Sequence, residues 1–506
     1  MITNTLLDNP VVWAEELHKK PESYWIHRGE AMGLRLFREM SIHVPAYKQM
    51  IREKQIRPET IRTAKNFSSI PICSKQSYLN KYPLKQLNWT GKHAIRQQTI
   101  AATSGSTGVP FYFPRSIVQD KQYAAIAEMY LRTNFQIHKK STLYIVGWGM
   151  GVWIGGVFSY TAVRMVALRG KYDLSLITPG TSKKEIISAV TQLGRQFDQI
   201  IIGGYPPMVK DLLSEGEEQG VKWKTYPLKF IFSAEGFSED FRDYIVDHAG
   251  LQNVYMDTLN HYGTVDLGTM AHETPLTILI RRLAHNNPAL NKSLFGESYR
   301  QPTLAQYIPE LFYFEEVEGQ LVCSAYSGLP LVRYALLDMG GVLTMDTVRT
   351  KAQACGIDIE KEIQNAHIEG TIWNIPFVYL FERADFTVKL YGANIYPQEI
   401  RRALEQKEIT GVVTGKCTMQ IMYDKQMNQC LAIHIETKPK KRISSAVAKR
   451  IRTYIIEELL AHNSEYAYLY THIKKENIEP HIMIHPYQSP GLFDANGKHR
   501  WVRKEP

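Results

Sequence analysis

The chain has 506 residues, 44% hydrophobic and 22% charged, with a formal net charge of +10 and a pI near 9.0. That length exceeds one typical domain, so two or more are expected, and the balance is that of an ordinary soluble globular protein rather than a disordered one. The basic residues are scattered and only Lys438-Pro439-Lys440-Lys441-Arg442 forms a run, read as a solvated turn, so nucleic acid is not an expected partner. A basic balance equally suits a binder of nucleotides and carboxylates.

Five cysteines (Cys73, Cys323, Cys355, Cys417 and Cys430) are widely spaced, which indicates neither a disulfide framework nor a structural zinc site. The amino terminus is polar and early acidic (Asp8, Glu15, Glu16), without the apolar core of a signal peptide. The longest apolar stretch, around Thr142 to Val157, is broken by glycines and too short to span a bilayer. A cytoplasmic location without membrane insertion is the default expectation.

Residues 1–70 read as helices: Asn9 to Lys19, Tyr24 to Glu39, and Val44 to Lys54 with Pro45 near its start. From about 90 to 345, β-rich runs alternate with helix-period segments. Thr142 to Val146, Gln199 to Ile202 and Leu228 to Phe232 are the strands; Ser182 to Phe197 and Pro207 to Gln219 are the helices. This alternation predicts an α/β sheet with parallel stretches, whose ligands sit on loops beyond the strand ends.

The style changes near Arg383 to Pro397. Gln398 to Lys407 reads as a helix, Cys417 to Tyr423 with Cys430 to Thr437 as a hairpin, and Ser445 to Leu460 as a long helix. The expected fold is α/β: a large N-terminal domain (residues 1–385) with mixed sheets and flanking helices, and a small C-terminal α+β domain (390–506) joined by a hinge.

The richest ten residues are Ala101-Ala102-Thr103-Ser104-Gly105-Ser106-Thr107-Gly108-Val109-Pro110, between an alternating stretch ending at Ile100 and the strand-like Phe111-Tyr112-Phe113. Glycines and hydroxyl residues at this density cannot pack a core. They can present backbone N–H and O–H donors to one anion. The loop lacks the Gly-Lys-Ser/Thr ending of P-loop NTPases, and taken alone it also fits a hairpin turn.

Further motifs follow in order: Ile70-Pro71-Ile72-Cys73-Ser74-Lys75 with Tyr82-Pro83, Gly147-Trp148-Gly149-Met150-Gly151, Ser233-Ala234-Glu235-Gly236-Phe237, Tyr262-Gly263-Thr264-Val265-Asp266, Leu331-Val332-Arg333-Tyr334 through Asp338, and Arg383-Ala384-Asp385 to Gly392-Ala393-Asn394-Ile395-Tyr396-Pro397. With the loop, this ordered set resembles the adenylate-forming superfamily (acyl-CoA synthetases, peptide-synthetase adenylation domains, luciferases), and within it the phenylacetate–CoA ligase-like branch.

The resemblance implies an AMP-forming acid–thiol ligase. ATP and a carboxylic acid would give an acyl-adenylate and pyrophosphate, and CoA would then displace AMP. It implies ATP and Mg2+ as cofactors, with CoA as co-substrate. Thr103, Ser104, Gly105, Ser106, Thr107 and Gly108 would hold the phosphates. Ser233, Ala234, Glu235 and Gly236 would line the adenine, with Tyr262, Gly263 and Thr264 beside it. Asp338 and Arg383 would contact the ribose.

Asp266 would contact the metal, although the family's usual residue there is glutamate; Val265 and Phe386 also depart from the pattern. Lys498, in Asp494-Ala495-Asn496-Gly497-Lys498-His499-Arg500, would be the catalytic lysine of adenylation, with Lys504 as runner-up and a disordered basic tail as the alternative. Trp148, Met150, Trp153, Tyr205 and Met208 would line an aryl or medium-chain acid pocket, or simply the core. A carrier-protein thiol or an amine stays open as the acceptor, a homodimer is admitted, and a degenerate nucleotide-binding scaffold is the rival of another class.

Overall fold

The computed structural model describes residues 7–89, 99–102, 111–152, 154–234, 236–296, 301–381, 388–390, 393–423, 429–472, 475–493 and 499–503. The chain divides into two compact units, Met1–Phe381 and Glu382–Pro506.

In the first unit, the helices Pro10–Lys19, Glu22–His43 and Pro45–Glu53 precede the sheets. Proline begins two of them, where its missing N–H costs nothing. Strands β1 (Thr99–Ala102) and β2 (Tyr112–Arg115) then pair antiparallel, Ala102 opposite Tyr112. The hydroxyl- and glycine-rich run Thr103 to Pro110 that joins them lies outside the described residues.

A sheet of 11 strands organises the rest. Strands β3 (Thr142–Val146), β4 (Leu174–Ile177), β5 (Gln199–Gly204), β6 (Leu228–Ser233) and β7 (Thr258–Thr264) run parallel. From there the sheet turns antiparallel through β8 (Gly268–His272), β9 (Thr303–Gln306), β13 (Phe377–Leu380), β12 (Leu331–Leu343), β11 (Gln320–Ala325) and β10 (Phe312–Val317).

The central strands are covered on both faces, and their near-continuous apolar runs follow from that. Leu143, Ile145, Ile200, Ile202, Phe230 and Phe232 pack under the helices Lys183–Leu193, Pro206–Glu218 and Glu239–Ala249. Tyr144, Val146, Ile201, Ile231 and Leu259 point the other way, toward the helices Ile117–Thr133 and Ile154–Leu168. The helix Ile117–Thr133 is buried almost all round, and Ser116 with Gln119 forms a capping box at its start.

The second unit has its own core. Strands β14 (Val388–Leu390) and β15 (Ala393–Ile395) form a two-stranded pair. Strand β16 (Val413–Tyr423) pairs antiparallel with β17 (Gln429–Thr437), and β17 pairs parallel with β18 (His481–His485). The helices Pro397–Leu404 and Ser445–His462 contribute Ile400, Leu404, Ile451 and Ile455 to this core.

Candidate active site

The register of the parallel strands puts several sequence motifs along one edge. Val146 lies opposite Gly203, Gly204 opposite Phe232, and Ser233 opposite His261. Gly147, Tyr205, Ala234 and Tyr262 therefore stand at neighbouring carboxyl ends, the edge at which open α/β sheets bind ligands.

At the end of β6, Ala234 is exposed with φ +76, a left-handed backbone that a non-glycine residue adopts at a cost. The turn beneath it is held firmly. Arg281 Nη2 donates to Phe237 O at 2.7 Å. Arg281 also meets Glu273 at 2.8 Å and Glu239 at 3.1 Å, and Arg242 pairs with the same two carboxylates at 2.7 and 2.9 Å. All four side chains are at most 1% exposed. Burial alone would raise the Glu239 carboxyl, but the guanidiniums of Arg242 and Arg281 outweigh it and hold the group below its ordinary value.

Strand β12 is tied to the end of β7 by two tyrosine–aspartate hydrogen bonds of opposite sense. Tyr262 Oη donates to Asp338 Oδ2 at 2.6 Å, and Tyr334 Oη donates to Asp266 Oδ2 at 2.5 Å. The donor and acceptor on each strand are four residues apart. Asp266 sits in the β7–β8 turn, half-buried, and its carbonyl accepts from Ser327 Oγ at 2.7 Å.

Asp338 lies within the 13-residue β12 and is 6% exposed. The physical reason is irregularity in β12. Leu337 has φ +64 and is 53% exposed, so the backbone twist there turns Leu337 outward and Asp338 inward. Tyr262, in turn, is 5% exposed, its ring stacked 6.1 Å from Phe314. Gly263 and Thr264 follow it in β7.

Trp148, Met150 and Tyr205 belong together and Met208 does not. Trp148 is 1% exposed, and its ring lies on the Gly203 backbone, where an added Cβ would come within 2.2 Å. Met150 and Tyr205 pack at the margin of the same cluster. Met208 packs with the cluster on the opposite face of the sheet. Alternation of side chains across the strands produces that separation.

Thr103 to Gly108, Trp153, Glu235, Arg383, Phe386, Lys498 and Lys504 lie outside the described residues. The residues just after Lys498 are docked on β16. Thr418 Oγ1 donates to Arg500 O at 2.7 Å, Met419 N donates to Trp501 O at 2.7 Å, and Arg503 N donates to Met419 O at 2.8 Å. Trp501 is 2% exposed, so a disordered tail does not describe 499–503.

Sequence reasoning gave no role to Tyr334 or Ser327, which hold Asp266 from 68 and 61 residues away. Tyr334 stands inside a quoted motif, but nothing local marks its partner. Among the described residues no group of three or more His, Cys, Asp and Glu converges as a metal cage, and no helix is long and apolar enough to cross a membrane.

No protein-family model matches the chain, and no curated protein matches it. Among solved structures it is similar to 2-hydroxyisobutyryl-CoA ligase in the postadenylation state with 2-HIB-AMP. That match has a TM-score of 0.62 and 15% identity, over 96% of this chain and 89% of that one. The same ligase with R3-HIB-AMP gives a TM-score of 0.64 and 15% identity, over 97% and 92%. The chain has the fold of the adenylate-forming CoA ligases.

Proposed function

We propose that the chain is an adenylate-forming ligase that activates a carboxylic acid with ATP and passes the acyl group to the thiol of CoA. The observation that carries this is the alignment of Ala234, Tyr262 with Asp338, and Asp266 along one carboxyl edge of the parallel strands, in a chain with that fold over nearly its whole length.

In the first step a carboxylate oxygen attacks the α-phosphorus of ATP, the bond to the β-phosphate oxygen breaks, and pyrophosphate leaves. In the second, a thiolate attacks the acyl carbon and AMP leaves. The first step asks chiefly for positioning and charge stabilisation. Thr103 to Gly108 would supply donors to the β- and γ-phosphates. The strained turn at Ala234 would present backbone groups of Ser233 to Gly236 to the adenine.

Asp338, oriented by Tyr262, would accept from the ribose hydroxyls, with Arg383 adding a contact. Lys498 would bring a point charge to the carboxylate and α-phosphate. A single half-buried carboxylate fits magnesium, which keeps waters and substrate phosphates as its other ligands; Asp266 would hold it, and the ion would neutralise phosphate charge. Trp148, Met150 and Tyr205 would form one wall of the pocket, which suits an aryl or medium-chain acid of the phenylacetate–CoA ligase-like branch. A cytoplasmic enzyme is the accompanying proposal.

Incubation with ATP, CoA and an acid panel, followed by mass spectrometry, should give AMP and an acyl thioester. Acyl transfer only to a carrier protein or an amine would relocate the acceptor. No AMP with any acid and acceptor would remove the proposal. Lys498→Ala should lose adenylation while still binding ATP, as followed by nucleotide-binding fluorescence; wild-type adenylation would mean a different lysine serves.

A further inference from the structure

Beneath the strand-end edge, on the face that carries Trp148, three tyrosines and two histidines meet. Tyr144 projects from β3 and His261 from β7, while Tyr123 and Tyr130 come from the helix Ile117–Thr133. The His261 ring lies 5.1 Å from that of Tyr130 and 6.1 Å from that of Tyr123. His272 of β8 stands opposite His261 in register and 5.2 Å from Tyr130. Tyr144 and Tyr130 are 0% exposed, Tyr123 2%, His272 3% and His261 5%.

Interior polar atoms are normally matched. His261 Nε2, Tyr144 Oη and Tyr130 Oη have no hydrogen-bond partner among the described residues, and neither has the indole Nε1 of Trp148. Three unmet polar atoms in one aromatic cluster mark a place where a ligand group belongs. The cluster lies on the same side of the sheet as Trp148: Tyr144 and Val146 alternate onto that face of β3, Trp148 follows two residues further on, and all three belong to the core that has Met150 and Tyr205 at its margin.

The chemistry of the missing group follows from charge. Burial, with His272 alongside, pushes His261 down to about 3, and burial raises Tyr144 well above its ordinary value. Both groups are neutral near pH 7. A hydroxyl both donates and accepts, so it can satisfy a phenol and a neutral imidazole in either tautomer.

Resting on the reading of the strand-end edge as an adenylation site, we propose that Tyr144 and His261 close the far end of the acid pocket and select a carboxylic acid bearing an uncharged hydroxyl distal to its carboxylate.

The test compares matched acids in acid-dependent pyrophosphate exchange: para-hydroxybenzoate against benzoate, para-hydroxycinnamate against cinnamate, and ω-hydroxyoctanoate against octanoate. The hydroxylated member of at least one pair should be preferred by about tenfold or more in kcat/KM. Tyr144→Phe, which removes one oxygen, should bring that ratio to within about twofold of unity. His261→Phe is the second variant if Tyr144→Phe does not fold. Exchange with no preference in any pair, or a preference that survives both substitutions, overturns the inference while leaving the adenylation site standing. Absence of exchange with every acid removes that site and this inference with it.

Discussion

The two faces of the parallel strands share β3, β5 and β6 yet are filled differently. On one face the strand residues Leu143, Ile145, Ile200, Ile202, Phe230 and Phe232 are aliphatic or phenyl and meet three helices. The other mixes Ile201, Ile231 and Leu259 with Tyr144, Tyr123, Tyr130 and His261. Hydrophobic burial explains the first face completely. It does not explain phenols and an imidazole left with unmet hydrogen bonds on the second. A core that serves only stability has no use for them, so the mixed face is where function is to be sought.

The largest effect should come from damaging the apolar face. Ile202 is 0% exposed, and Ile202→Ala should cost about 2–5 kcal/mol in urea unfolding of the first unit through the lost transfer energy and the cavity. The preference among acids should not move; if it does, the two faces are not functionally separate.

A smaller loss is expected from Tyr262→Phe, which deletes the donor to the buried Asp338 carboxylate, about 1.5–3 kcal/mol for a hydrogen bond to a charged group. Because Asp338 would face the ribose, KM for ATP should rise with it. A stability loss with unchanged KM would make the Tyr262–Asp338 bond purely structural.

Acid should act on the mixed face. His261 and His272 are held down to about 3 and about 4 by burial, so the unfolded chain binds more protons than the folded one below about pH 6.5. Stability contributed by keeping them neutral is present above that pH and is lost as pH falls toward 4, by about 1 kcal/mol per pH unit for each histidine. Thermal melts from pH 7 to 4.5 should show the slope, and His261→Phe should flatten it by one histidine's share. An unchanged slope would mean that His261 is not buried neutral.

The smallest effect concerns Ala234. Glycine accepts φ +76 without strain, so Ala234→Gly should stabilise the turn by about 1 kcal/mol at most, read as a small rise in Tm. Destabilisation would show that Ala234 is not strained.

The sequence reveals what local periodicity encodes. Strands β3, β5 and β6 stand out as apolar runs between turn residues, and the helices Lys183–Leu193 and Pro206–Glu218 as amphipathic segments between them. The hairpin of β16 with β17 and the helix Ser445–His462 are legible for the same reason.

What escapes the sequence is set by distant pairings. The antiparallel half of the sheet joins β9 to β13 across more than seventy residues, and no short-range pattern records it. Nothing local marks Asp338 as a buried acceptor; the left-handed backbone at Leu337, which turns that side chain outward, lies beyond what spacing records. Tyr334 and Asp266, or Tyr262 and Asp338, are chosen for each other by fold rather than by spacing. Met208 falls near Tyr205 in the chain but on the other side of the sheet.

The central claim is that the strand-end edge activates a carboxylic acid on ATP. Exchange of labelled pyrophosphate into ATP across a panel of aryl and medium-chain acids, with Mg2+ present, tests it most directly. The account predicts exchange that appears only when a suitable acid is added. No exchange with any acid of the panel, or exchange that ignores the acid, would contradict it.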